Sequence, residues 1–254
     1  MRKFSAEIFV LFVFSTAKAQ WTQISSQFEA SPVRGLEHRY VVVEDSNSGD
    51  RGSLELAIFS TKSCRLRIVD QSSEPRSDLE DVMARGNFLA GVNGGYFDPE
   101  YRPIGLLIVD GKSVAPLQKA RLLSGVLSST GKKVQISRVS EFSLIQKPDV
   151  AVECGPMIID AGKSVRGLES SKAARRTFVA VGGDKAALGF CSDVTLADLS
   201  NILAIVTIPD FKIQRALNLD GGSSSAFWFK RTNGSAFSIA ELKPVRDFVA
   251  VVPR

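Results

Sequence analysis

The sequence contains a single histidine, His38, among 254 residues. One imidazole excludes a two-histidine metal helix and a three-histidine zinc site, and it disfavours a Ser/His/Asp triad. We therefore expect any chemistry to use carboxylate, amide, hydroxyl and guanidinium groups.

Cysteine is also scarce, with Cys64, Cys154 and Cys191 far apart in the chain. The spacing contains no C-x-x-C metal or redox motif, and an odd number leaves at least one thiol free or paired between chains. Small buried hydrophobic side chains are the favoured interpretation. An oxidising compartment would allow one disulfide, whose pair the sequence does not choose. A catalytic thiol is disfavoured because its histidine partner would have to be His38.

The sequence lacks a block of consecutive basic residues, and its formal net charge is only +5. We therefore expect no nucleic-acid partner. Hydrophobic residues make up 44% and charged residues 23% of the chain, which excludes the disordered, collagen-like and coiled-coil classes. The composition predicts an ordinary globular protein.

Residues 1–19 are typical of a secretory signal peptide. Basic residues at positions 2 and 3 precede the apolar run Ile8–Phe14, and Ala17-Lys18-Ala19 supplies a small-x-small cleavage site. A membrane anchor is the less favoured alternative, because a transmembrane helix needs roughly 20 apolar residues. We expect a secreted or periplasmic protein that begins at Gln20 and has no stable membrane insertion after cleavage.

Short apolar runs bounded by turn residues predict a series of β-strands. In chain order they are Tyr40–Val43, Leu54–Phe59, Leu66–Val69, Phe88–Val92, Ile104–Val109, Leu122–Leu127, Val134–Val139, Val150–Cys154, Phe178–Val181, Ala216–Leu219 and Val245–Val252. Asp110-Gly111 after the fifth run predicts a two-residue hairpin turn.

Two helices are predicted by their capping residues. Ser77 and Glu80 form a capping box for a helix that Gly86 can end, and Thr195 with Asp198 starts a second helix. Many strands and two principal helices without regular βαβ alternation predict an α+β fold. We expect a mixed, largely antiparallel sheet in one domain over residues 20–254.

Tandem glycines follow two of the predicted strands, in Asn93-Gly94-Gly95-Tyr96-Phe97 and Asp220-Gly221-Gly222-Ser223-Ser224. Glycine permits positive φ and lets a ligand approach the backbone, and the serines add hydroxyl and amide groups suited to an anionic or polyhydroxyl ligand. The alternative for either motif alone is a tight turn in which Asn93 or Asp220 bonds its own loop. The spacing matches neither a Walker loop nor a dinucleotide fingerprint.

Charged side chains mark three further strand positions. Glu153 ends a strand beside Gly155-Pro156, and Arg176 enters the strand Phe178–Val181. An arginine there can donate two hydrogen bonds to a phosphate, although a solvated strand-edge cation is the alternative. Asp247, in the last predicted strand, is likewise either a functional residue or a solvated charge at a strand edge.

Taken together and in order, these segments resemble the phosphodiester glycosidase family, from about residue 85 to the carboxyl end. The resemblance is carried by Asn93–Phe97, Gly105-Leu106-Leu107, Asp110-Gly111-Lys112, Gly155-Pro156-Met157, Arg176-Thr177, Thr195–Leu199, Asn218–Ser224 and the closing Val245-Arg246-Asp247-Phe248-Val249. Family members often have a third glycine where this chain has Ser223.

The resemblance implies hydrolysis of the C1–O bond of a sugar-1-phosphodiester, with release of free sugar and a phosphomonoester. It implies that Asp220 lies at the anomeric carbon as nucleophile or base, that Glu153 is a second carboxylate, and that Arg176 stabilises the departing phosphate. A phosphorylated sugar or glycan would be the partner. The implied substrate-binding residues are Asn93, Gly94, Gly95, Tyr96, Gly221, Gly222, Ser223 and Ser224, with Asn93 bonding sugar hydroxyls and Tyr96 stacking on the ring.

Two alternatives remain open on the sequence alone. No cofactor is expected, but an oxygen-rich divalent cation site built from Asp220, Glu153 or Asp98 is possible, although no EF-hand spacing supports it. The same loops would also suit a non-catalytic module that binds a phosphorylated glycan or cell-envelope polysaccharide.

Overall fold

The computed structural model describes residues 20–131 and 133–254, so the predicted signal peptide lies outside the described residues. The strands are β1 (Trp21–Ala30), β2 (Leu36–Asp45), β3 (Arg51–Ser60), β4 (Cys64–Asp70), β5 (Ala90–Asn93), β6 (Leu107–Val109), β7 (Lys112–Ala115), β8 (Gly125–Thr130), β9 (Lys133–Arg138), β10 (Val150–Cys154), β11 (Met157–Asp160), β12 (Lys163–Ser164), β13 (Ala174–Gly182), β14 (Lys185–Val194), β15 (Arg215–Asn218), β16 (Phe227–Lys230), β17 (Ala236–Ile239) and β18 (Asp247–Pro253). The helices are α1 (Leu79–Arg85) and α2 (Leu196–Ile205).

The strands form three sheets. One has eight strands in the order β1-β2-β3-β14-β13-β15-β11-β12, and two have five strands each, in the orders β7-β6-β10-β8-β9 and β17-β16-β5-β18-β4. Among the described residues, the neighbouring strands pair antiparallel. The predicted α+β class with a largely antiparallel sheet and two principal helices is confirmed, although the strands form three sheets and not one.

The predicted two-residue hairpin joins β6 to β7. Asp110 and Gly111 have φ angles of 47° and 76°, which is the left-handed geometry of a type I′ turn. The twist of this turn matches that of the flanking strands, so the Asp-Gly signal alone located it correctly.

The two helices cover different sheets. Thr195 caps α2 as predicted, since its Oγ1 accepts a hydrogen bond from the Asp198 amide at 3.1 Å. In α1 the predicted cap was wrong by one residue, because Asp78 and not Ser77 accepts the amide of Asp81, at 2.8 Å. The buried faces of α1 and α2 pack on the third and first sheets, respectively.

The main core lies where the inner faces of the three sheets meet. Strand β14 crosses the middle of the largest sheet, and its Gly189 has no room for a side chain, because a Cβ there would overlap the ring of Phe178. The three cysteines are buried and unpaired in the described part of the chain. Burial raises the pKa of each thiol, which makes Cys64, Cys154 and Cys191 poor nucleophiles.

Neither helix in residues 20–131 and 133–254 has the length and apolar composition needed to cross a bilayer.

Candidate functional site

The two glycine motifs meet where β5 of the third sheet and β15 of the first sheet end, and Asn93 joins them. At the end of β5, its Nδ2 donates to the backbone oxygen of Asp220 at 2.8 Å. Its Oδ1 accepts from Thr177 Oγ1 at 2.6 Å and from the amide of Ala226 at 3.0 Å. The side chain is fully buried. Asn93 therefore holds three segments together, and the prediction that it bonds sugar hydroxyls is not supported, because its polar atoms already have protein partners.

Asp220 is a partly buried carboxylate at this junction. Its Oδ1 accepts from the amide of Gly221 at 3.0 Å, and its own amide donates to the backbone oxygen of Gly94 at 3.1 Å. Burial raises the pKa of Asp220, and the nearby Ser224 hydroxyl, the Gly221 amide and Lys243 oppose that rise. A carboxylate with increased proton affinity is suited to accept a proton.

Tyr96 is fixed by a polar network on the other side of the first glycine motif. Its hydroxyl donates to the backbone oxygen of Gly155 at 2.5 Å, and Asn218 Nδ2 donates to the same oxygen at 3.0 Å and to the Tyr96 hydroxyl at 3.2 Å. Burial raises the pKa of Tyr96, so the phenol stays protonated. The half-buried ring packs against the main core, which limits the stacking on a sugar that the sequence predicts.

Arg176 lies beside the second glycine motif, but its guanidinium is already engaged. Nε donates to the backbone oxygen of Val194 at 2.9 Å and Nη2 to that of Lys172 at 2.6 Å, with Glu169 at 3.7 Å. A Cβ added at Gly221 would lie 4.0 Å from Arg176 Cδ, which places the arginine stem close to the loop. The predicted two-bond grip on a phosphate needs correction, because two of the nitrogen donors bind backbone carbonyls instead.

Glu153 does not join Asp220. Its Oε2 accepts from the amides of Leu106 and Gln118 at 2.8 and 2.9 Å, and the side chain is buried. Successive residues of a strand point to opposite faces, and the negative charge of Asp220 raises the pKa of the neighbouring residue, Cys154. The described hydrogen bonds of Glu153 fix two loops and do not link it to Asp220, and its role as the second catalytic carboxylate stays a prediction.

Asp247, which the sequence left ambiguous, is the carboxylate beneath the first glycine motif. Its Oδ1 accepts from the Gly95 amide at 3.1 Å and its backbone oxygen from the Gly94 amide at 2.8 Å. A Cβ at Gly94 would overlap Asp247 Oδ1, so only glycine fits there. Burial raises the pKa of Asp247 to about 7, and the charges of Asp70 and Asp220 add to the rise. Its Oδ2 has no hydrogen-bond partner among the described residues, which fits a carboxyl that carries a proton.

Lys243 is the functional candidate that sequence reasoning missed. Its positive charge lowers the pKa of Asp220, and its Nζ lies 5.5 Å from the centroid of the Phe97 ring. That ring stacks on Tyr101 with centroids 5.1 Å apart, and the guanidinium of Arg76 lies 3.7 Å from the Tyr101 centroid. A lysine in a short polar loop has no distinguishing sequence pattern. Lys243 is singled out only by its tertiary contact with the Phe97–Tyr101 stack.

A cavity of about 300 Å³ adjoins the Lys243 loop. Its lining includes the cations Arg76 and Lys243 and the carboxylates Asp78 and Glu241. The amide of Leu242 donates to the backbone oxygen of Ser223 at 2.7 Å. The cavity and the second glycine motif are therefore coupled through one hydrogen bond.

The second glycine motif offers a mixed surface to a ligand. Gly222 has a φ of 64° with open space where a side chain would be, and Ser223 is exposed. Ser224 is fully buried, and its hydroxyl lies near Asp220 without a hydrogen bond of ordinary geometry in the described structure. Of the two serines predicted to bind substrate, Ser223 is the accessible one.

The possible cation site is not assembled in the described residues, where no group of three or more metal-ligating side chains occurs. Asp98 instead accepts hydrogen bonds from the side chain and amide of Arg102, at 2.7 and 2.8 Å. Asp220, Glu153 and Asp98 therefore have separate partners.

The family model described as phosphodiester glycosidase matches residues 86–252. Among curated proteins, the uncharacterized protein YigE of Escherichia coli K12 is 32% identical over 91 residues, which cover 33% of this chain and 36% of YigE. The alignment thus spans about a third of that relative.

Two solved structures share the fold. The catalytic domain of zebrafish N-acetylglucosamine-1-phosphodiester alpha-N-acetylglucosaminidase, auto-inhibited by its pro-peptide, superposes with a TM-score of 0.65 at 16% identity, covering 91% of this chain and 89% of that one. A hypothetical protein from Synechocystis superposes with a TM-score of 0.68 at 14% identity, covering 89% and 64%.

Proposed function

Because this chain belongs to the phosphodiester glycosidase family, we propose that it hydrolyses the glycosidic bond of a sugar-1-phosphodiester and releases free sugar and a phosphomonoester. The observation that supports this most directly is the position of Asp220. This carboxylate of raised proton affinity lies where the two glycine motifs meet, next to the cation Lys243.

We infer that Asp220 acts as the base for water. Its Oδ1 is bonded to the Gly221 amide, so Oδ2 is the oxygen available to take a proton. The water oxygen forms a bond to C1 of the sugar, the C1–O bond breaks, and its electron pair stays on the phosphate oxygen. A phosphate is a weak base, so this leaving group needs a nearby cation more than a proton donor.

The cation proposed for the phosphate is Lys243. Arg176 has committed two of its nitrogen donors to carbonyl groups, whereas Lys243 is exposed and its charge reaches Asp220. The stack of Phe97 on Tyr101 holds the lysine at the mouth of the adjoining cavity. We infer that the phosphate binds beside Lys243 and that the rest of the leaving group extends into that cavity.

Replacing Lys243 with Met should lower kcat/KM for UDP-N-acetylglucosamine by about 10- to 100-fold, because a charge contact to the phosphate is lost. The melting temperature should stay within about 1 °C, since the side chain is exposed. Lys212→Met, another exposed lysine, is the matched control. An equal loss of rate on a neutral aryl glycoside would contradict the phosphate assignment.

The reaction itself is tested by incubating the purified protein with UDP-N-acetylglucosamine, which would release UDP, or with a sugar-1-phosphodiester, which would release a phosphomonoester. Free sugar and the phosphorylated product are both measured. Release of both products in equal amounts supports the hydrolase. Tight binding of the substrate without release of sugar would support a binding module instead.

We also propose that the protein is exported and cleaved before Gln20. Expression of the full chain with its native amino terminus, followed by amino-terminal sequencing of the product, should give Gln20 as the first residue. A product that retains Met1 inside the cell would contradict export.

A further inference from the structure

A cleft of about 430 Å³ lies between the edge strands of the first and third sheets, outside the Asp220 site. Its floor is formed by five polar side chains from β1, β2 and β3: Gln27, Glu29, His38, Tyr40 and Glu55. The strand register explains the grouping, because Gln27 lies opposite Tyr40, Glu29 opposite His38 and Tyr40 opposite Glu55. Residues that are directly opposite or two apart share one face of a sheet.

The charges of this cleft are balanced by internal pairs. Glu29 Oε2 lies 3.2 Å from Arg231 Nε, and Glu55 Oε2 lies 2.7 Å from His38 Nε2. Two carboxylates disfavour an anionic ligand such as a phosphate, and Arg231 disfavours a cationic ligand. The polar floor equally disfavours an acyl chain, which would leave those groups without hydrogen bonds.

An aromatic ring borders the polar floor. Phe237 is only partly buried; one face of its ring stacks on His38 with centroids 5.2 Å apart and an interplanar angle of 29°, and the guanidinium carbon of Arg231 lies 5.9 Å from its centroid. Phe28 lies at the mouth with 65% of its surface exposed. A saccharide ring has apolar C–H faces and a rim of hydroxyls, so it can cover an aromatic face while its hydroxyls bond to amide, carboxylate and phenol groups.

We propose that this cleft is a second binding site that takes a neutral oligosaccharide. Its volume lies within the roughly 300–1,000 Å³ of small-molecule sites. Six of its eight lining residues precede residue 86, outside the part of the chain that the family model matches, so family membership assigns no role to it. The binding requires no turnover at Asp220 and is independent of the proposed hydrolysis.

Binding is measured by isothermal titration of the full protein with two neutral probes, maltotriose and tri-N-acetylchitotriose. At least one probe should bind with a dissociation constant below about 10 mM. Phe237→Ala should weaken that binding at least about tenfold, because the aromatic face is lost.

A second variant tests the same cleft in case Phe237→Ala disturbs folding. Gln27 is exposed on the edge strand, so Gln27→Arg should fold normally, place bulk and charge in the cleft, and weaken binding to a similar extent. Ser26→Arg puts the same side chain at an exposed neighbouring position that does not line the cleft, and it should leave the affinity unchanged. Asp220→Asn should also retain full binding, which separates this site from the hydrolytic one.

Failure of both probes to bind would overturn the proposal. Binding that survives both Phe237→Ala and Gln27→Arg would overturn it as well, because the saccharide would then be held elsewhere.

Discussion

Asp220→Asn should reduce hydrolysis of a sugar-1-phosphodiester by about 100- to 10,000-fold, the usual contribution of a positioned general base. The amide keeps an oxygen that can accept the Gly221 amide hydrogen bond, so the loop should retain its conformation. What the variant loses is the ability to take a proton from water. The measurement is the steady-state rate of free sugar release from UDP-N-acetylglucosamine at neutral pH.

Asp184→Asn is the control for this result, since Asp184 is an exposed carboxylate that pairs with Lys62 away from the site. Its rate should equal that of the unmodified protein. Substrate binding should persist in Asp220→Asn, because Lys243 and the glycine loops remain. If Asp220→Asn keeps more than about half of the activity while another carboxylate variant loses it, the assignment of the base is wrong.

The convergence of the site could be anticipated from the sequence because it depends on strand ends. Asn93 ends one buried strand and Asp220 follows another, and the packing of two sheets against one core brings them into direct contact. The hydrophobic periodicity of the strands and the turn residues after them are local signals, and they were sufficient to place both motifs at strand ends. The Asp-Gly hairpin and the Thr195 cap were equally local, and both were correct.

The side-chain partners that sequence analysis missed depend on tertiary structure, which local sequence patterns do not encode. Whether Glu153 or Cys154 faces Asp220 depends on the exact register of β10, and a shift of one residue reverses the answer. The engagement of Arg176 depends on where a distant loop places the carbonyl of Lys172. Both residues have the right chemistry, but their partners are set by tertiary structure.

Seven of the described strands have no predicted range, namely β1, β7, β11, β12, β14, β16 and β17. Strand β1 has mostly polar, exposed residues because it is the edge of the largest sheet, so it lacks the apolar alternation of a half-buried strand. Strand β14 contains Gly189, and a glycine inside a strand pattern usually argues against a strand. Here the glycine leaves room for the ring of Phe178. The floor of the proposed saccharide cleft depends in part on β1, so sequence reasoning could not have located it.

The second large effect is expected at Asp247, through stability and not through direct contact with substrate. Burial raises its pKa from the ordinary 3.8 to about 7, so the folded chain binds more protons than the unfolded chain between these two values. Stability must therefore fall as pH rises through this window, by up to about 4 kcal/mol from this group. Above pH 7 the folded protein carries a buried negative charge, and the hydrogen bond from the Gly95 amide offsets only part of its desolvation cost.

Asp247→Asn removes that titration and keeps an oxygen for the Gly95 amide. Urea denaturation at pH 4.5 and pH 8 should show the variant becoming more stable relative to the unmodified protein at the higher pH, with the difference between the two proteins shifting by about 2–4 kcal/mol. Asp149→Asn, at an exposed position, should show no such shift. An identical stability difference at both pH values would mean that Asp247 is ionised throughout.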